Sequence, residues 1–372
     1  MKKKLPEWVP ENAGTGFTTH ILPLYKSRNN SNPSIVQKHI KDTGEIKKKI
    51  NESLSLSEYK EGVLAKDKVI LARAITLVES NADKHFDLAQ ELIKEILPFT
   101  GNSIRIGITG VPGAGKSTFI ETFGLHIIEL GKSPAVLAID PSSTVSKGSI
   151  LGDKTRMETL SKNDNAFIRP SPSSGNLGGV TRKTKETLLL CEAAGFDVIL
   201  IETVGVGQNE VTVRSMVDFF LLMLIAGAGD ELQGIKKGVF ELADAILINK
   251  ADGNNIIATQ TTNTIYNNTL HYLADATPGW KTKSYTCSAK NNIGIDNIWT
   301  IISQFVDYTK KTKIFQDRRH QQTITWFKNM LHEEVLNQFY KKDNMKSKLD
   351  TVISEILNQK ITPVVGVKKM MS

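Results

Sequence analysis

Gly110-Val-Pro-Gly-Ala-Gly-Lys116-Ser117 decides how the rest of the chain is read. A glycine, four residues and then Gly-Lys-Ser is the spacing of a phosphate-binding loop. The glycines let the backbone curl until several N–H groups face one anion. A helix starting at the loop adds a favourable partial positive charge. The flanks supply that context. Ile104-Arg-Ile-Gly-Ile-Thr109 alternates and is β-branched, which predicts a strand, and Thr118 to Leu130 reads as a helix stopped by Gly131. In such a loop Gly110, Val111, Pro112, Gly113, Ala114, Gly115 and Thr118 surround the phosphates. Lys116 reaches the β- and γ-phosphates, and the Ser117 hydroxyl holds Mg2+.

Working outward, strands and helices alternate from Ser103 onward. Ala135–Ile139, Ala166–Arg169, Asp197–Glu202, a run within Val217–Ala226, Ala245–Asn249 and Lys283–Cys287 read as short, mostly apolar strands. Val180–Ala194 and Ile295–Tyr308 read as helices. Near-continuous apolar strands alternating with helices predict an α/β fold whose mostly parallel central sheet is covered on both faces. Ligands of such sheets bind at the carboxyl ends of the strands. Upstream, Leu54–Leu97 reads as helices, with Leu64, Val69, Ile70, Ala72, Ile75 and Val78, then Phe86, Ala89, Leu92, Ile93 and Ile96, at helical spacing. Pro98 and Gly101 close this section. Residues 1–45 are polar and proline-interrupted and predict an extended, partly ordered arm. After Lys310 the pattern is helical again: Trp326, Met330, Leu331, Val335, Leu336 and Phe339 form one stripe, and Leu349, Ile353 and Ile356 another. Such stripes pack either within the chain or against a second subunit.

Composition excludes several classes. The chain has 372 residues, 40% hydrophobic and 23% charged, enough apolar material for two or three domains. Net charge is +8, but the lysines fall in short runs without interleaved aromatics, and no nucleic-acid module signature is present. They read as solvated faces, and no nucleic-acid partner is expected. Cys191 and Cys287 are far apart and lack partners at metal-ligand spacing, which points to a reducing compartment. The first residues lack an apolar core of the kind a secretory signal needs, Glu7 and Glu11 disfavour a transit peptide, and the longest apolar run, Phe219–Ala226, is too short to span a bilayer. A cytoplasmic, non-membrane protein is expected.

The nucleotide is read from two later motifs. Asn249-Lys250-Ala-Asp252 ends a strand and resembles the guanine-specificity element of GTPases. A carboxylate at Asp252 can accept from guanine N1–H and the exocyclic amine, and the Lys250 stem can pack on the base. Ser288-Ala289-Lys290, again after a strand, resembles the second base-contacting loop, whose backbone N–H meets guanine O6. Glu202-Thr-Val-Gly205 follows a buried strand. Its carboxylate is placed to hold Mg2+ through water and the Gly205 N–H to sense the γ-phosphate. Many GTPases carry Asp where Glu202 stands. Asp140-Pro-Ser-Ser143 and Gly152-Asp-Lys-Thr-Arg-Met157 are candidates for a first switch, with Asp140 and Asp153 near Mg2+ or the attacking water.

Glu202-Thr-Val-Gly-Val-Gly-Gln208, together with Asp140–Ser143, Gly152–Met157 and Gly227-Ala-Gly-Asp-Glu-Leu-Gln-Gly-Ile-Lys-Lys237, resembles the MeaB-type (ArgK-like) GTPases associated with methylmalonyl-CoA mutase. The resemblance covers about Leu64–Tyr308 closely and the C-terminal helices loosely. It implies a phosphate-loop G protein using GTP/GDP and Mg2+. Such a protein couples GTP hydrolysis to loading and protection of adenosylcobalamin on an acyl-CoA mutase, and switches by dimer or partner contacts. On this reading residues 46–101 are a helical section, 102–309 the GTPase domain, 310–372 a helical dimerisation arm and Gly227–Lys237 a third switch. No glutamine directly follows Gly205, the nearest being Gln208, so slow intrinsic hydrolysis accelerated by a partner is expected. A nickel-inserting GTPase would carry a histidine-rich tract or paired Cys/His ligands, and here seven histidines are scattered. A transport-associated kinase would need adenine specificity or a phosphoacceptor site, which Asn249–Asp252 argues against. Intact Lys116, Ser117, Asp140 and Glu202 argue against a dead nucleotide site.

Overall fold

Every apolar run that the sequence marks as a strand enters one sheet. The structure, a computed structural model, describes residues 54–139, 157–170, 177–203, 209–227, 237–341 and 344–371. The expectations for the 1–45 arm, Asp140, Asp153, Gly205 and most of Gly227–Lys237 lie outside the described residues. The strands are β1 (Ile104–Gly110), β2 (Pro134–Ile139), β3 (Phe167–Pro170), β4 (Val198–Thr203), β5 (Phe219–Ile225), β6 (Ala245–Asn249) and β7 (Ser284–Thr286). Their order is β3-β2-β4-β1-β5-β6-β7, and every pairing is parallel. The sheet is thus all-parallel rather than mostly so. β4 is buried along its whole length, as a strand covered on both faces must be. The register brings the functional ends together: Glu202 lies opposite Ile108 of β1 and Ala138 of β2, and Asn249 lies opposite Ile225 of β5.

The helices in chain order are α1 (Leu56–Leu64), α2 (Lys68–Glu79), α3 (Asp83–Ile96), α4 (Lys116–Glu129), α5 (Glu158–Lys162), α6 (Leu177–Ala193), α7 (Asn209–Arg214), α8 (Lys237–Phe240), α9 (Ile256–Leu270), α10 (Ile295–Lys311), α11 (Ile314–Lys341), α12 (Met345–Leu357) and α13 (Pro363–Met371). α4 packs on β1, β2 and β4, and α9 on β6 and β7. α1 opens with a reciprocal capping box, Ser55 with Glu58, and Asp67 caps α2. The apolar stripe of α2 is rotated from the expected one: Leu71, Ala74, Ile75 and Val78 are buried, whereas Val69 is 70% exposed. Phe86 is half-exposed under the Arg182 guanidinium. These helices pack on α6.

α11 is 28 residues long and has two parts. Its first turns are rooted under the amino-terminal edge of the sheet. Arg319 makes a paired ion bridge to the buried Asp218 at 2.8 and 2.6 Å and reaches the carbonyls of Gly101 and Ser103. Gln322 donates to the Val217 carbonyl at 2.8 Å, and Arg318 reaches the Asp218 carbonyl. Beside them Arg214 of α7 pairs with the buried Asp244 at 2.6 Å. Farther along, Phe327, Leu331, Val335 and Leu336 are about half to two-thirds exposed, as are Leu357 of α12 and Val364, Val367 and Met371 of α13 or more so. Among the described residues no helix is long and apolar enough to cross a membrane.

Candidate nucleotide-binding site

The loop after β1 has the backbone its glycines predict. Gly110, Gly113 and Gly115 all have positive φ (154°, 75° and 83°), and at the latter two only glycine is unstrained. A Cβ at Gly115 would lie 2.7 Å from Asn249 Nδ2, so this glycine is also required by close approach. α4 begins at Lys116 itself, two residues earlier than the sequence pattern suggests. Lys116 Nζ donates to the carbonyls of Gly110 at 2.9 Å and Val111 at 3.3 Å, so the ammonium sits inside the curl of the loop. Burial lowers its pKa, and the negative charge of Glu202 opposes that shift. Ser117 Oγ donates to Glu202 Oε1 at 3.1 Å. Hydroxyl and carboxylate therefore converge at the carboxyl ends of β1 and β4, next to the ammonium. Pro112, Gly113 and Thr118 are exposed at the rim.

The base-side motifs join this loop through Asn249. Its buried side-chain amide donates to the Ala114 carbonyl at 2.8 Å, and its Oδ1 accepts from the Ala289 N–H at 3.0 Å. The Ala251 N–H donates to the Cys287 carbonyl at 2.9 Å. Ser288 Oγ donates to the Asp252 carboxylate. The carboxylate is thus oriented by the neighbouring loop rather than left to swing. Lys250, at φ 65°, and Lys290 are exposed, consistent with stems that pack on a ligand rather than in the core. The structure therefore brings Gly110–Ser117, Glu202, Asn249, Asp252, Ser288 and Ala289 to one end of the sheet. Asp140, Asp153 and Gly205 lie outside the described residues.

A profile of the family described as "Methylmalonyl Co-A mutase-associated GTPase MeaB" matches residues 71–344. The chain belongs to this family. The protein named "GTPase ArgK" of Escherichia coli is 44% identical over 321 residues, covering 86% of this chain and 97% of that protein. The mouse "Methylmalonic aciduria type A homolog, mitochondrial" is 41% identical over 312 residues, covering 81% of this chain and 75% of that protein. A crystal structure described as a LAO/AO transport system kinase superposes with a TM-score of 0.70 at 37% identity, over 86% of this chain and 98% of that one. The fold is that of a phosphate-loop GTPase.

Some parts of this MeaB-family site are not marked by its sequence motifs. Thr122 Oγ1 of α4 donates to the Ala289 carbonyl at 2.8 Å, tying the phosphate-loop helix to the base loop. The buried Cys287 thiol, its pKa pushed up to about 12 by burial, lies 3.3 Å from Asn249 Oδ1 and is its third partner. Thr203 and Thr109 hydroxyls bond at 2.8 Å across β4 and β1. Each partner is distant in sequence and of an ordinary residue type, so no spacing signals it. Adjacency to Ser288-Ala289 was the one available hint for Cys287.

Proposed function

We propose that this chain is a GTP-binding and GTP-hydrolysing G protein that assists loading and protection of adenosylcobalamin on an acyl-CoA mutase, with methylmalonyl-CoA mutase as the expected client. The observation that carries the nucleotide reading is the Asn249 bridge, one side chain holding the phosphate loop at Ala114 and the base loop at Ala289. Phosphate and base subsites are thereby fixed at one spacing. In the proposed complex the carboxylate of Asp252, steadied by Ser288, accepts from the guanine edge, the Ala289 N–H faces O6, and Lys250 and Lys290 flank the base. Lys116 meets the β- and γ-phosphates with its charge already in place.

Mg2+ fits the donors present. Ser117 Oγ and Glu202 Oε1 are hard oxygens within 3.1 Å of each other, and Mg2+ draws its remaining ligands from water and phosphate. Ser117 would hold the ion directly and Glu202 through water, with Asp140 and Asp153 as further candidates. The ion supplies neutralisation of charge on the phosphates. Lys116, Ser117 and Glu202 orient the nucleotide, and Asp153 and the Gly205 N–H are proposed to order the water and sense the γ-phosphate. With no glutamine after Gly205, turnover without a partner is expected to be slow.

The client is supported by the family description and by the name of the mouse relative, which links that protein to methylmalonic aciduria. Residues 102–309 form the proposed GTPase domain, flanked by helices from 46–101. The 310–372 arm is proposed to bury its apolar faces against a second copy, and the setting is proposed to be the cytoplasm. The test is affinity purification of the tagged protein from its native cell with GTP or GDP in the buffer. A cobalamin-dependent mutase should be retained in a nucleotide-dependent way. Recovery of no such mutase in either state would sink the client assignment, and failure to turn over GTP would sink the enzymatic one.

A further inference from the structure

From Gly253 to Ala274 the chain carries no Asp, Glu, Lys or Arg, although 23% of its residues are charged. α9 occupies most of this stretch and packs on β6 and β7. It buries only Thr259, Tyr266 and Leu270. Ile257, Thr261, Ile265, Asn268 and Tyr272 recur at helical spacing on one face and are exposed, Tyr272 by 88%. A solvated helix face is ordinarily supported by opposite charges three or four residues apart. α9 has none, and its threonines and asparagines are weak helix formers. Depletion of charge around an exposed tyrosine is the composition of the centre of a protein–protein contact.

This face ends beside a cleft. A cavity of about 470 Å³ lies between Phe240 of α8, the last turn of α9 with the residues after it, and the start of β7. That volume is in the range of ligand sites. Phe240, Leu270, Leu273 and Tyr285 supply apolar lining, and Phe240 is braced by Tyr266, stacked at 5.6 Å. His271 also lines the cavity and immediately precedes Tyr272, so cleft and face adjoin. The charge of the lining is unbalanced. Lys281 pairs with Asp275 at 3.0 Å, whereas Lys283 has no carboxylate partner among the described residues. An occupant that matches the cleft therefore sets a negative charge beside an apolar group. It does not add to the sheet as a strand. The Ser284 N–H donates to Asn267 Oδ1 at 2.9 Å and Asn267 Nδ2 donates to the Ser284 carbonyl at 3.1 Å, which closes the outer edge of β7 at its start. Recognition here is by side chains.

We propose that this cleft and the adjoining face of α9 dock an acidic segment of a partner protein, with one large apolar side chain in the cleft and a carboxylate at Lys283. The uncharged face decides for a protein over a small molecule, because a small ligand would fill the cleft and leave α9 bare. α9 starts shortly after Asp252, at the nucleotide end of the sheet, and the cleft lies at the opposite end, where β7 begins. Docking therefore leaves the nucleotide site open. The proposal goes beyond the nucleotide and client readings and depends on neither.

The test is fluorescence polarisation of labelled hexapeptides with the full chain. Glu-Glu-Leu-Phe-Glu-Glu should bind with a Kd below about 1 mM. Lys-Lys-Leu-Phe-Lys-Lys and Glu-Glu-Ala-Ala-Glu-Glu should each bind at least about tenfold more weakly. Lys283→Glu, an exposed change, should reverse the preference between the acidic and the basic peptide. GTP turnover of the same preparation should be unchanged, which reads the nucleotide site separately. If Lys283→Glu does not melt cooperatively, Lys283→Gln must weaken the acidic peptide alone. Absence of binding at 1 mM would overturn the proposal, as would equal binding of all three peptides or a preference that ignores residue 283. Light scattering of Ile265→Arg covers the remaining occupant. Its mass should equal that of wild type, and a fall in mass would give the α9 face to a second copy of the chain and overturn the proposal as well.

Discussion

Asn249 and Ala114 are joined by a buried hydrogen bond of 2.8 Å, from the side-chain amide that ends β6 to a carbonyl of the phosphate loop. The same side chain accepts from Ala289 and lies against the Cys287 thiol. Replacing it by alanine leaves the Ala114 carbonyl and the Ala289 N–H buried without partners. Each such loss costs about 1–3 kcal/mol. Asn249→Ala should therefore weaken GTP and GDP together by at least roughly tenfold in a titration with fluorescent nucleotide. A loss confined to one of the two nucleotides, or no loss, would contradict the bridge.

Asp252 is steadied by Ser288 rather than free in solvent. Asp252→Asn replaces one acceptor by a donor, which suits the carbonyl that xanthine carries in place of the guanine amine. In competition the variant should shift from GTP toward XTP by roughly a hundredfold, in line with one or two exchanged polar contacts. Ser288→Ala should weaken GTP more mildly without changing base preference. Undiminished GTP selectivity in Asp252→Asn would remove the base-reading assignment.

Lys185 of α6 is a cation without a carboxylate among the described residues. Its Nζ donates to the Gln322 carbonyl of α11 at 3.3 Å and lies 5.3 Å from the Trp326 ring. Burial, and secondarily the charge of Arg105, lower its pKa from 10.5 to about 8. Between these values the unfolded chain holds a proton that the folded protein has released. Stability conferred on this site therefore rises with pH from about 8 to 10.5 and is at its lowest below 8. Lys185→Met should melt higher than wild type at pH 7, with the gap closing as pH approaches 10. Parallel melting curves across that range would refute the account.

The sheet and the site's polarity were legible because their signals are local. A phosphate loop needs a fixed spacing of glycines, and a buried parallel strand needs an unbroken apolar run. The misses have physical causes. α9 carries Thr, Asn and β-branched residues and buries only Thr259, Tyr266 and Leu270, so it lacks an apolar stripe to announce it. α5 and α7 are one or two turns long, below the length at which periodicity can be read. On α2 the sequence offers apolar residues all around, and the partner α6 decides that Leu71 rather than Val69 turns inward. The links made by Asn249 and Thr122 join residues tens of positions apart, and pattern reading has no access to them.

The C-terminal arm divides at about Trp326. Its root, with Arg318, Arg319 and Gln322, is built into the sheet's lower edge, while Phe327, Leu331, Val335 and Leu336 beyond it are exposed. Deleting everything from Lys310 would remove Arg319 and strand the buried carboxylate of Asp218, 1% exposed, without its ion pair. Breaking a buried pair from one side costs about 3–5 kcal/mol, so that truncation tests stability rather than association. Removing only residues 330–372 keeps the root and takes away most of the exposed stripe. By light scattering the full chain should be a dimer and this truncation a monomer, with nucleotide affinity unchanged. A truncated protein that still dimerises would put the interface elsewhere, and a monomeric full chain would leave those apolar faces to a different protein.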